Sequence, residues 1–119
     1  MVTDFQFFDI YCDVHPFKET SIWVGSADAE NPSSESYINA NRIRSVYHEP
    51  LDDNLVIAAQ GPMTNTTGAF WGMVSQENVQ RIVTLVEHIG EGGDCSHYFP
   101  GKTIGDEETY GTVTVKLVA

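Results

Sequence analysis

The stretch that most constrains this chain is Leu55 to Val74, LVIAAQGPMTNTTGAFWGMV. LVIAA, Leu55 to Ala59, is continuously apolar and short, as a strand buried on both faces should be. Gln60-Gly61-Pro62 stops it, because Pro has no N–H to donate to a ladder and fixes its own φ. Asn65 and Thr66 are N-cap candidates for a helix predicted to run through about Asn78. Phe70, Met73, Val74 and Glu77 recur at i, i+3, i+4 and i+7. That spacing gives the helix an apolar face of Phe70, Met73 and Val74, with Trp71 beside it. A strand, a fixed turn and a capped helix in immediate succession require a sheet with a helix laid against it.

The flanking text agrees. Ser21 to Val24, SIWV, alternates and predicts a short strand, and YINANRI, Tyr37 to Ile43, a second extended segment. Between them GSADAENPSSES, Gly25 to Ser36, is small, polar and turn-prone. RSVYHEPLDDN, Arg44 to Asn54, reads as a second loop or hairpin end broken by Pro50 and Asp52-Asp53-Asn54. RIVTLV, Arg81 to Val86, is another run expected to form a fully buried strand, and the glycines of IGEGGD expect a turn. YGTVTVKLV, Tyr110 to Val118, has period two and predicts a half-exposed strand. The fold class expected is α/β (α+β), a mixed twisted sheet with a flanking helix.

Composition acts mainly by exclusion. With 119 residues and 41% apolar side chains, the chain is one domain or a piece of one. Seventeen acidic residues against six basic give a net charge of −11, spread along the chain. Such a surface repels nucleic acid and anionic lipid, and serves solubility. No apolar run is long enough to span a bilayer, and the acidic N-terminus argues against a secretory leader. Cys12 and Cys95 lack metal-ligand spacing and read as free thiols of a cytoplasmic protein.

Little in the residues points to chemistry. Neither cysteine lies in a glycine-rich loop followed by Arg, and Asp13 and Asp94 beside them are expected to raise a thiol pKa. His15, His48, His88 and His97 show no helical pairing, so no metal site and no cofactor is expected. Asn65-Thr66-Thr67 matches a glycosylation acceptor but is better explained as the start of the helix.

Several blocks nevertheless resemble the protein tyrosine phosphatase domain. YINAN, VIAAQGPMTNTTGAFWGMV, RIVTLV, CSHYFP and YGTVTVKLV stand in that family's order and near its spacings. The pattern QGP-x-x-NT-x-x-x-FW-x-MV is long and specific. Upstream, YCDVHPFKETSIWV is similar to the end of the family's phosphotyrosine-recognition loop and the strand after it. The likeness extends from about residue 8 to 119. It implies that the QGP segment and its helix are scaffold beneath a catalytic cleft, and that the loop lines the cleft. Tyr11 would be the ring that stacks on the substrate, making the pocket deep enough for phosphotyrosine and not phosphoserine. Aromatic stacking contributes about 0.5–1.5 kcal/mol beyond burial. Asp13 would accept backbone N–H bonds from the bound peptide, and Val14 would be the apolar wall beside it. The implied partner is a phosphotyrosine protein or peptide.

The departures are as specific. Phe8-Asp9-Ile10 precede Tyr11 where the family has Lys-Asn-Arg, and Ser21 replaces a basic residue. Glu91 matches the family's Arg-pairing Glu only with a gap, and Asp94 stands where a Lys is expected. The family's nucleophile loop, His-Cys-x-x-Gly-x-x-Arg, and its general acid, in Trp-Pro-Asp, occur nowhere in the sequence. The final strand pattern also meets the C-terminus without a turn. Residues 1–119 are therefore expected to be the N-terminal portion of such a domain, inactive alone, with sheet edges open to self-association. The alternative is a non-catalytic pseudophosphatase or phosphotyrosine- or partner-binding module.

Overall fold

The computed structural model describes residues 10, 14–26, 31, 33–43 and 56–119. Its elements are β1 (Ser21–Trp23), β2 (Tyr37–Ile43), β3 (Val56–Ala59), α1 (Thr67–Gln76), β4 (Glu107–Tyr110) and β5 (Val113–Lys116). Strands with one helix among the described residues, in open sheets, bear out the α/β (α+β) expectation. The chain divides between Gln60 and Gly61 into two compact units.

The first unit is a three-stranded antiparallel sheet in the order β1-β2-β3. β2 is central, and its bounds are those the sequence predicts. Ala40 stands opposite Ala59 and Ile43 opposite Val56. On the other side the register shifts between the Ser21–Asn41 and Trp23–Tyr37 pairs. Ile22, Tyr37, Ile38 and Ala40 are buried, and the Trp23 ring meets Tyr37 edge-on at 5.7 Å. β3 departs from expectation. Val56, Ala58 and Ala59 are exposed and Ile57 is half-buried, with β3 at the edge of the described sheet. The loop over residues 44–54 lies outside the described residues.

The second unit is built on α1. Phe70 and Met73 are its buried residues, with Val74 and Trp71 half-buried, which is the predicted face. Thr66 is the N-cap residue, but its hydroxyl does not bond the first-turn N–H groups. Instead it accepts from the Met63 N–H at 2.8 Å, bracing the turn that leads in. At the other end Val79 N bonds Val74 O and Asn78 N bonds Ser75 O. Asn78 has φ 55°. That pair of bonds around a left-handed residue is the Schellman ending. It stops the helix at Gln76, short of the expected Asn78.

Two predictions in this unit need correction. RIVTLV forms no strand, and residues 81–85 are exposed. A continuous apolar run shows what a segment can bury, not that a neighbour is present to bury it. YGTVTVKLV is not one strand either: Tyr110 closes β4 and Val113 opens β5. Gly111, at φ +60°, provides the reversal, which a residue with a side chain adopts only under strain. The charged Glu107-Glu108 text concealed β4, since Glu is a poor strand former. A Cβ on Gly68 of α1 would lie 3.3 Å from the Gly111 Cα, so the two glycines permit helix and hairpin turn to touch.

An aromatic cluster fills the space beside the helix. Phe70 meets Tyr98 edge-on at 5.2 Å, and Trp71 stacks on Tyr110 at 6.1 Å. The indole N–H of Trp71 donates to the Tyr98 carbonyl, and the Tyr98 hydroxyl lies 2.7 Å from Thr84 Oγ1.

Candidate functional site

The loop that the resemblance places in the cleft leads into β1, and residues of β2 and the end of β3 hold it. On β2, Ile38 and Ala40 are buried, while Asn39 and Asn41 project from the opposite face by strand alternation. Both asparagines reach the loop. Asn39 Nδ2 donates to the Val14 carbonyl at 2.7 Å. Asn41 Nδ2 donates to the Phe17 carbonyl at 3.1 Å, while its Oδ1 accepts from the Phe17 N–H at 3.3 Å. One amide side chain thus imitates the paired bonds of a neighbouring strand. Asn41 also donates to Thr20 Oγ1 at 2.8 Å.

A further anchor comes from the QGP segment. Gln60 N continues the ladder to Asn39 O, and the Gln60 side-chain oxygen accepts from the Ile10 N–H at 3.0 Å. Gln60 therefore does more than end a strand. Each of these bonds contributes about 0.5–1.5 kcal/mol, with little lost to entropy where the donor strand is already fixed. The anchored positions Ile10 and Val14 bracket Tyr11 and Asp13 in sequence. Tyr11 and Asp13 themselves lie outside the described residues. Val14 is 55% exposed, an apolar side chain open to solvent beside an anchored carbonyl.

Asn39, Asn41 and Gln60 were not among the candidate residues read from the sequence. A signal was available. Asn is unfavourable in a strand, and two of them spaced by two residues in YINANRI must share one face. Such a pair is retained where backbone elsewhere needs partners.

The remaining candidates for chemistry do not converge. Cys95 is buried, its thiol donates to the Ser96 carbonyl at 3.4 Å, and burial pushes its pKa up. The direction is the expected one, but the cause is desolvation and not Asp94. Cys12 lies outside the described residues. Glu91 is exposed in the glycine turn, where Gly90 and Gly92 both have positive φ. Among the described residues no three His, Cys, Asp or Glu side chains gather as metal ligands. No described helix is long and apolar enough to cross a membrane.

The turn at Gly61 and Pro62 shows why its glycine is needed. A Cβ on Gly61 would lie 3.0 Å from Cys95 Cβ and 3.2 Å from its sulfur. Ser96 N donates to the Pro62 carbonyl at 2.8 Å, and Thr64 and Ser96 hydroxyls lie 3.1 Å apart. The CSHYFP block is thereby fastened to the QGP turn, two motifs far apart in sequence.

Comparison with known proteins points to one family. The family model described as protein-tyrosine phosphatase matches residues 9–119. The chain is 37% identical over 110 residues to mouse tyrosine-protein phosphatase non-receptor type 7, covering 92% of the chain and 28% of that protein. It is 40% identical over 88 residues to mouse receptor-type tyrosine-protein phosphatase eta, covering 73% of the chain and 6% of that protein. With mouse tyrosine-protein phosphatase non-receptor type 5 it shares 38% identity over 96 residues, 79% of the chain and 17% of that protein. The chain therefore spans less than a third of the length of each of these relatives. On the matched motifs, the sheet and the family model together, the chain belongs to the protein-tyrosine phosphatase family.

Proposed function

We propose that this chain supplies the framework and the phosphotyrosine-recognition loop of a protein tyrosine phosphatase domain. The groups that attack and protonate the phosphoester come from polypeptide outside the sequence. In the working domain Tyr11 stacks on the substrate ring, Asp13 accepts peptide N–H bonds and Val14 forms the apolar wall. The substrate class is phosphotyrosine in proteins. The setting is the cytoplasm, or the cytoplasmic part of a receptor-like parent, since the relatives include both receptor and non-receptor types. The observation that supports this reading best is the set of bonds from Asn39, Asn41 and Gln60 to the loop, because substrate recognition needs a fixed backbone.

The proposed chemistry needs a thiolate nucleophile, an Arg with backbone N–H groups around the phosphate, and an acid for the leaving phenol. The chain alone is accordingly expected to leave an aryl phosphate intact. A turnover rate that survives purification and disappears on mutating Cys12 or Cys95 would overturn this. The codons after Ala119 provide a second test: an open frame reaching His-Cys-x-x-Gly-x-x-Arg supports the reading, and an immediate stop counts against it.

One observation favours a second reading, a non-catalytic binding module. The loop anchors are formed by side chains of the same unit, without any catalytic group. Calorimetry with a phosphotyrosine peptide separates the two. Saturable heat absent with the unphosphorylated peptide supports the module, and no heat at about millimolar peptide (a binding free energy near −4 kcal/mol) removes it.

A further inference from the structure

The turn that leads into β4 reads GKTIGDEE, Gly101 to Glu108. Asp106, Glu107 and Glu108 stand three, four and five residues after Thr103. Among the serines and threonines of the chain, Thr103 alone is followed by three carboxylates within five residues. The turn is closed on itself. Asp106 N donates to the Thr103 carbonyl at 2.9 Å, and the Thr103 N–H donates to Asp106 Oδ2 at 3.0 Å. Gly105 N donates to Leu117 O and Leu117 N to Asp106 O, each at 2.8 Å. Its placement thus comes from bonds within residues 103–117 and does not wait for a neighbouring strand. The Thr103 side chain is exposed, and its hydroxyl has no hydrogen-bond partner among the described residues. Thr109 and Thr114, by contrast, spend their hydroxyls on each other at 3.0 Å.

We propose that Thr103 is a phosphorylation site for a Ser/Thr kinase whose peptide groove is basic. Carboxylates at successive positions after the hydroxyl complement Lys and Arg in such a groove, which both attracts the segment and sets its register. Lys102 is the one opposing charge between Gly101 and Glu108. Transfer needs only local opening of the four bonds above. In it, Thr103 Oγ bonds the γ-phosphorus of ATP, the bond from that phosphorus to the bridging oxygen breaks, ADP leaves, and the hydroxyl proton passes to a base of the kinase. The product carries a charge of about −1.5 to −2 at pH 7. It stands beside Asp106, whose carboxylate already holds the Thr103 N–H. Like charges then loosen the turn, so the modification acts as a switch on the entry to β4.

Incubation of the full chain with a purified acid-directed Ser/Thr kinase, ATP and magnesium tests the assignment. The expected result is one phosphate per chain, placed on Thr103 by fragmentation mass spectrometry, and none in Thr103→Val. Thr112→Val, at another exposed turn threonine but one followed by no carboxylate, should leave incorporation unchanged. Glu107→Gln/Glu108→Gln should slow incorporation about tenfold, and Asp106→Asn, which keeps an acceptor for the Thr103 N–H, should do the same. In the phosphorylated chain, amide exchange at Thr103 and Leu117 should quicken about tenfold while α1 stays protected. Circular dichroism confirms that each variant is folded. No incorporation, a phosphate on another residue, or a rate indifferent to the three carboxylates overturns the site. Unchanged exchange in the phosphorylated chain overturns the switch.

Discussion

The Asn39 amide donates to the Val14 carbonyl at 2.7 Å, joining the central strand to the segment that leads into β1. Asn39→Ala removes the donor and should cost about 1 kcal/mol of stability. Asn39→Asp is the sharper variant, since it sets a carboxylate against a carbonyl and should cost more than the alanine. Denaturant midpoints give both values. Amide exchange near Val14 should quicken in each variant while the β2–β3 ladder stays protected, which separates a loosened loop from a weakened sheet.

Gly61 and Cys95 are in close contact, and a methyl group on Gly61 would crowd the Cys95 Cβ at 3.0 Å. Gly61→Ala should destabilise the chain by about 1–3 kcal/mol through overpacking. Cys95→Ala removes the sulfur but keeps Cβ, so the double variant should recover part of that loss. A urea double-mutant cycle with a coupling of about 0.5 kcal/mol or more is the expected outcome. Strict additivity would show that the strain arises elsewhere.

Much of the fold was legible because local chemistry decides it. The bounds of β2 and the buried face of α1 follow from alternation and helical spacing, which packing here does not override. RIVTLV failed for a different reason. Apolar text is the same whether or not a partner strand is present, so burial was inferred from a need and not from a contact. The hairpin was hidden because its first strand is charged and its turn rests on one glycine conformation. The site divides in the same way. Tyr11, Asp13 and Val14 came from likeness to a family, whereas Asn39, Asn41 and Gln60 act on residues 21 or more positions away and become visible only when β2 faces the loop. Long-range hydrogen bonds leave no local periodicity to read.

Asn78 occupies left-handed backbone, φ 55°, at the end of α1. Asn tolerates that region better than other residues with a side chain, and Gly better still. Asn78→Gly should therefore hold stability or raise it by up to about 1 kcal/mol, while Asn78→Val should lower it by about 1–2 kcal/mol. Thermal midpoints of the two variants should fall on opposite sides of, or level with and below, the parent chain. Loss of stability in the glycine variant would mean that the Asn side chain, not the backbone, ends the helix.

Tyr110 joins burial and charge in one titration. Its ring stacks on Trp71 and its hydroxyl donates to Glu108 Oε2 at 2.9 Å. Burial, then the hydrogen bond to Glu108 and its negative charge, push the phenol up from 10.0 to about 12. A pKa raised by folding means that the native state holds the proton longer than the unfolded chain. The associated stability is fully present below pH 10 and is lost as pH rises toward about 12. Phenolate absorbance should show a tyrosine titrating near 12 that is absent from Tyr110→Phe. Glu108→Gln should bring that titration back toward 10 without restoring it fully, because burial remains. Tyr110→Phe keeps the ring on Trp71 and removes the proton. The stability of the parent chain relative to this variant should fall between pH 10 and 12, and a difference independent of pH in that window would show that the phenol is not held in its protonated form by folding.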